Sequence, residues 1–152
     1  MLIRSSLTRW PARRDGTTLV EFAAVALVFC MLLFGILEWA LMLYTYDVLQ
    51  NAAREGARFA VANGSDPNIV SDTQGYVQPL MMGLDTKMTG YACNVYLSDS
   101  KGNNLGSPVA ATFGQPICVQ VTLTYTPITP ALFLPANAFN FQTKCVMCSE
   151  GN

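Results

Sequence analysis

The chain contains no histidine in 152 residues and little charge, 12% against the roughly 25% of an ordinary soluble domain. Without histidine, neither a Ser-His-Asp nor a Cys-His nucleophile can be assembled, and no His-containing zinc site is possible. Nine basic and ten acidic residues leave a formal charge of −1, so no basic field is available for a nucleic-acid partner. The Gly-x-x-x-x-Gly-Lys-Ser/Thr phosphate loop has no match. Proline is missing from the whole stretch between Pro11 and Pro67, which removes the usual helix breaker from a third of the chain. Carboxylates are scattered singly, with no pair to set across a cleft for acid–base work. The expectation is therefore a protein that is not an enzyme and that takes no cofactor and no metal.

The hydrophobic content is 51%, and it is concentrated. In Phe22–Tyr46 only Gly35, Glu38 and Thr45 are not hydrophobic. The run is longer than the roughly 7–15 residues of a secretory h-region and lacks a small-residue cleavage site behind it. It is long enough to cross a bilayer once. Residues 1–16 ahead of it hold Arg4, Arg9, Arg13 and Arg14 against the single acid Asp15. That asymmetry predicts a cytoplasmic N-terminus and an extracytoplasmic remainder. A basic patch can also touch anionic lipid, but topology accounts for it sufficiently.

The junction reads Gly16-Thr17-Thr18-Leu19-Val20-Glu21-Phe22, a glycine behind a basic leader and a carboxylate five residues further on. Glycine resists helix propagation, which suits a bond that a protease must reach in extended form. The arrangement resembles the processing site of type IV prepilins, and Glu21 followed by Phe22 is similar to the Flp/Tad (tight adherence) subfamily. The resemblance implies cleavage by a prepilin peptidase between Gly16 and Thr17, with Glu21 then offset by the new α-amino group of the same or a neighbouring subunit. Read without it, Glu21 simply lies in the membrane interface beside Arg13 and Arg14. Removing 1–16 leaves Arg54, Arg58, Lys87, Lys101 and Lys144 against nine acids, formally −4.

Helical periodicity runs from Thr17 to about Ala62, a rod of about 68 Å. Its first half is apolar all round, with Trp39, Tyr44 and Tyr46 placed as an aromatic belt. Its second half is amphipathic, and Ala52, Ala53, Gly56, Ala57 and Ala60 form a small-residue face suited to close backbone packing. Here AAREGARFA resembles the segment that follows the membrane helix in TadE-like proteins, so the likeness covers roughly Arg13–Gly64. Arg54 and Arg58 read as a solvated i,i+4 pair. Glu38 reads as reaching the opposite membrane interface, with a polar contact to a neighbouring subunit as the sharper alternative. Cys30 reads as a small hydrophobe in the membrane.

Beyond Gly64 the pattern is that of a small domain. Asp66 is placed to cap a short helix running toward Met82, although Gly75 and Pro79 weaken it. A period of two then marks strands at Tyr91–Leu97, Ile117–Tyr125 and Phe139–Met147, with DSKGNN as a hairpin turn and TPITPALFLP irregular. The fold class is α+β: a long N-terminal helix, first transmembrane and then amphipathic, followed by a short helix and a small antiparallel β-sheet. Three regions result: a leader over 1–16, the helix over 17–63 with its membrane segment at about 22–46, and an extracytoplasmic domain over 64–152. Strand parity puts Cys93 with Cys145 on one face and Cys118 with Cys148 on the other, so disulfides Cys93–Cys145 and Cys118–Cys148 are expected. A redox role for Cys145-Val-Met-Cys148 lacks its βαβ setting, and an all-cysteine zinc site would have a single C-x-x-C knuckle.

These readings converge on a minor pilin, or pseudopilin, of the TadE-like kind. The resemblance implies prepilin peptidase, other pilin subunits and the pilus assembly platform as partners. It also implies a bacterial inner-membrane location, with passage to the exterior in an assembled pilus serving adhesion or secretion. The alternative is a single-pass membrane-anchored sensor or binding module that does not polymerise.

Overall fold

A computed structural model describes residues 15–64, 66–108, 111–128 and 138–149. Residues 1–14, which hold the four arginines of the expected leader, and the remainder of the proline-punctuated segment after Ile128 lie outside the described residues. The first element, α1, is a single helix of 48 residues over Asp15–Ala62, a rod of about 72 Å. Nothing in its sequence interrupts the i→i−4 ladder: no proline occurs, and Gly35 and Gly56 are isolated. It stops at Asn63-Gly64, where the Asn63 side chain and backbone N–H both turn back to the Phe59 carbonyl.

A second helix, α2, spans Ile69–Leu80, and a single turn, α3, spans Leu84–Lys87. Asp66 does not cap α2 directly. Its Oδ1 accepts the Asn68 N–H at 2.8 Å, shaping the turn before the helix, and Asn68 occupies the cap position without a side-chain bond of its own. Pro79, which has no N–H to continue the ladder, sits in the last turn, and the helix ends one residue later at Leu80. The reversal that follows uses two left-handed residues in succession, Met82 at φ 52° and Gly83 at φ 81°.

Four antiparallel strands follow: β1 (Thr89–Ser98), β2 (Asn104–Gly106), β3 (Pro116–Tyr125) and β4 (Phe139–Cys148). They lie in the order β2-β1-β3-β4. The β1–β2 turn is the DSKGNN segment. Its Asp99 carboxylate accepts the N–H groups of Lys101 and Asn103 and the Asn103 side-chain amide, at 2.8–2.9 Å. Those bonds, the Asn103 N–H foremost, hold the Asp99 carboxyl below the ordinary carboxylate range. Strand β3 is the centre of the domain, with Ile117, Val119, Val121, Leu123 and Tyr125 all buried. The expected α+β layout is the one observed.

One face of the sheet packs on the C-terminal half of α1, and α2 lies against both α1 and β1. The second half of the long helix is thus a layer of the domain core. Val48, Leu49, Ala52, Ala53, Ala57 and Ala60 share one apolar cluster with Ile69, Val77, Val95, Val119 and Val121. Burying such side chains contributes roughly 1.5–3 kcal/mol each for the larger aliphatics.

The expected disulfides are not formed in this structure, where Cys93, Cys118, Cys145 and Cys148 are free thiols. The face parity that suggested them holds. Cys93 pairs with Val121 of β3, and Cys145 pairs with Val119 of β3 from the other side. A whole strand therefore stands between them, about 9–10 Å of sheet at ordinary strand spacing, beyond the reach of a bridge. Cys118 lies opposite Val146 and Cys148 opposite Pro116, a two-residue diagonal instead of a facing pair. Parity fixes a face but not which strands are neighbours.

Candidate functional site: the long helix and its seat on the sheet

Gly16, Thr17, Glu21 and Phe22 all lie in the first two turns of α1, exposed to the surroundings. Helix has already begun at Asp15, so the Gly16–Thr17 bond is helical here and not extended. A Cβ built on Gly16 would meet nothing within 4 Å. Glycine at this position is therefore not required by packing, and its effect is on local helix stability.

From Leu19 to Leu37 the helix exposes nearly every large apolar side chain, with Leu19 at 70%, Phe22 at 73% and Ile36 at 66%. Among the described residues, nothing covers them. Gly16 to Leu37 spans about 33 Å, close to the hydrocarbon thickness of a bilayer. The helix is long and apolar enough to cross a membrane. Cys30 is one more exposed apolar side chain in this stretch.

The change comes at Glu38. It is the first buried residue of α1, 1% exposed, and it lies under the end of β3. The Tyr125 hydroxyl donates to its Oε1 at 2.5 Å, and the Ile128 N–H donates to the same oxygen at 3.2 Å. The predicted contact with membrane interface or neighbouring subunit is replaced by contacts within the chain. Burial, and then the bond to Glu38, push the Tyr125 hydroxyl well above its ordinary pKa. Tyr125 also meets Phe141 at a ring separation of 6.0 Å, and Phe141 meets Tyr46 of α1 at 6.2 Å. Of the proposed aromatic belt, Tyr46 therefore packs on β4 and Tyr44 donates to the Met82 sulfur at 3.5 Å, while Trp39 remains 63% exposed.

Higher on the helix the small residues determine how near the sheet and α2 come. Ala52, Ala53, Ala57 and Ala60 are buried completely inside the chain. Gly56 is the tightest point, where an added Cβ would fall 2.5 Å from Val77 Cγ2 and 3.3 Å from Val119 Cγ1. Arg54 and Arg58 stay on the open side. Arg58 pairs with Glu55 at 3.1 Å, and Arg54 bonds Gln50 at 3.5 Å. Phe59 stacks on Tyr76 at 4.6 Å, tying α1 to α2.

Burial raises the Cys93 thiol to about 11 and also raises Cys145, so neither is an activated nucleophile. Among the described residues no three Asp, Glu, Cys or His side chains come together as a metal site.

Sequence reasoning missed the Glu38–Tyr125 pair, whose members stand 87 residues apart. The available signal was a lone carboxylate in an apolar run together with a tyrosine ending the most regular strand.

Residues 16–58 match the family model described as TadE-like protein, a stretch that takes in most of α1 and none of the sheet. No curated protein and no solved structure matches the chain. Over residues 16–58 the chain is similar to the TadE-like family, a likeness that suggests involvement in the Tad pilus systems.

Proposed function

We propose that this chain is a minor pilin, or pseudopilin, of a Tad/Flp-type pilus: a processed building block rather than a catalyst. The observation that supports it best is the division of one unbroken helix into two parts. Leu19–Leu37 is bare apolar surface, and Glu38–Ala62 is built into the sheet domain. Because the helix is continuous with the domain core, a force applied to the domain is transmitted to the membrane segment without a hinge. A subunit drawn out of the bilayer needs that coupling, and a tethered sensor does not.

In this reading prepilin peptidase removes 1–16 at the cytoplasmic face of the inner membrane, leaving Thr17 as the new N-terminus and Glu21 in its first turns. The exposed apolar stretch then exchanges lipid for the helices of other pilin subunits, while the sheet domain stays extracytoplasmic. The assembly platform and the other pilins are the partners. The role served by the pilus is adhesion or secretion.

A helix-replacement experiment separates this reading from a simple anchor. Residues 22–37 are exchanged for an unrelated transmembrane helix of equal length, and surface pili are counted in the native host. The building-block reading predicts normal membrane insertion with pili lost. Undiminished piliation would show that the segment serves only as an anchor.

A further inference from the structure

The face of the sheet turned away from α1 carries a row of polar side chains in register across three strands. Asn94 of β1 pairs with Gln120 of β3, and Gln120 pairs with Lys144 of β4. Two other parts of the chain frame that row. The β1–β2 turn leans over it, held by the Lys144 ammonium, which donates to the Gly102 carbonyl at 3.5 Å. Gln74 of α2 closes the other side, donating to the Cys93 carbonyl at 2.7 Å. Between them lies a cavity of about 370 Å³, lined also by Asn103 and Asn104. That volume falls in the range of about 300–1,000 Å³ usual for small-molecule sites.

The carboxamides around the cavity are oriented before any ligand arrives. Gln74 spends its NH₂ on the Cys93 carbonyl, which leaves its oxygen as an acceptor. Asn103 spends its NH₂ on the Asp99 carboxylate at 2.8 Å and likewise keeps its oxygen. Asn104 does the reverse. Its oxygen accepts the Gly106 N–H at 2.8 Å, which leaves the NH₂ as a donor. The Tyr96 hydroxyl donates to Gln120 Oε1 at 3.0 Å, which leaves the Gln120 NH₂ as a donor. Asn94 has both ends open.

One cavity is thus lined by residues that keep both free donors and free acceptors, the combination that hydroxyl groups need, since each hydroxyl both gives and takes a hydrogen bond. Among the described residues Lys144 is the single charged group in the lining, and no carboxylate lines the cavity. Among the described residues Lys144 makes no ion pair, and the nearby Asp99 is committed to its own turn.

We propose that this cavity binds a sugar that carries a carboxylate, a uronic or sialic acid unit of a glycan. The carboxamides bond its hydroxyls, and Lys144 meets its carboxylate. The lone cation favours an acidic sugar over a neutral one, and the five carboxamides favour a sugar over a bare anion. The site is independent of the helix and of whether the subunit polymerises.

The test is a titration of the full-length, ¹⁵N-labelled chain in detergent micelles with sodium glucuronate, with glucose and acetate in parallel. Nuclear magnetic resonance reads the side-chain NH₂ signals of Asn94, Asn104 and Gln120. Saturable shifts of these signals are expected with glucuronate, weaker shifts with glucose, and none with acetate. Lys144→Met and Asn94→Ala, both at exposed positions, should each weaken glucuronate binding about tenfold, as for the loss of one charge-assisted or one well-formed hydrogen bond. Their backbone spectra should remain those of the parent outside the β1–β2 turn that Lys144 touches. Acetate acting like glucuronate would reduce the site to a bare anion contact and overturn the proposal. So would glucose binding as tightly as glucuronate, shifts that never saturate, or binding that survives both substitutions.

Discussion

Tyr125 Oη donates to Glu38 Oε1 at 2.5 Å, joining the end of the central strand to the point where the long helix leaves the sheet. Both residues are buried, and the Ile128 N–H shares the same carboxylate oxygen. One side chain thereby fixes how far down α1 the domain reaches, and so where bare apolar helix begins.

Loss of this bond should be felt in the domain. Tyr125→Phe leaves a buried acceptor short of a donor and is expected to cost about 1–3 kcal/mol. Glu38→Ala should cost more, because it strands both the Tyr125 hydroxyl and the Ile128 N–H in a space a methyl group cannot fill. Glu38→Gln, which retains an acceptor oxygen, should cost the least. Denaturant unfolding in micelles, followed by near-ultraviolet circular dichroism, gives the order.

Two helix glycines should respond in opposite ways. Gly56→Ala drives a methyl group against Val77 and Val119 and should destabilise the domain by about 1–3 kcal/mol. Gly35→Ala meets nothing within 4 Å and should leave the unfolding midpoint unchanged or slightly raised, since alanine favours helix. Equal effects would mean that Gly56 is not at a tight contact. Thermal unfolding of the two variants is the comparison.

The cysteine geometry can be read chemically. Peptide mapping of the unreduced protein should yield no Cys93–Cys145 linkage, because β3 separates the two strands. The Cys93 thiolate should appear only near pH 11, since burial raises its pKa from the ordinary 9.0. A raised folded-state pKa means that this group's contribution to stability is intact below pH 9.0 and disappears as the pH climbs through about 11. Absorbance of the thiolate at 240 nm, compared between the parent chain and Cys93→Ala, follows the titration.

Much of this architecture was legible because local pattern carried it. An unbroken apolar run without proline specifies the helix over Asp15–Ala62, and alternation specifies β1, β3 and β4 with their inward faces. Relationships between distant segments were not legible. Alternation says that Cys93 and Cys145 face one way but not that β3 lies between them. A glutamate in an apolar run looks like a membrane or subunit contact until the chain returns 87 residues later with Tyr125. The row Asn94–Gln120–Lys144 was invisible for the same reason, being polar residues on an outward face until strand register aligned them. The single turn at Leu84–Lys87 is too short for periodicity to register.

The central claim is that a peptidase converts this chain into a pilin by cutting behind Gly16. Intact-mass and N-terminal peptide mass spectrometry of the protein from its native host tests it most directly. The account predicts a chain beginning at Thr17, and a bulky replacement at Gly16 that leaves the leader attached. A chain that retains Met1 in cells with an active prepilin peptidase would contradict it.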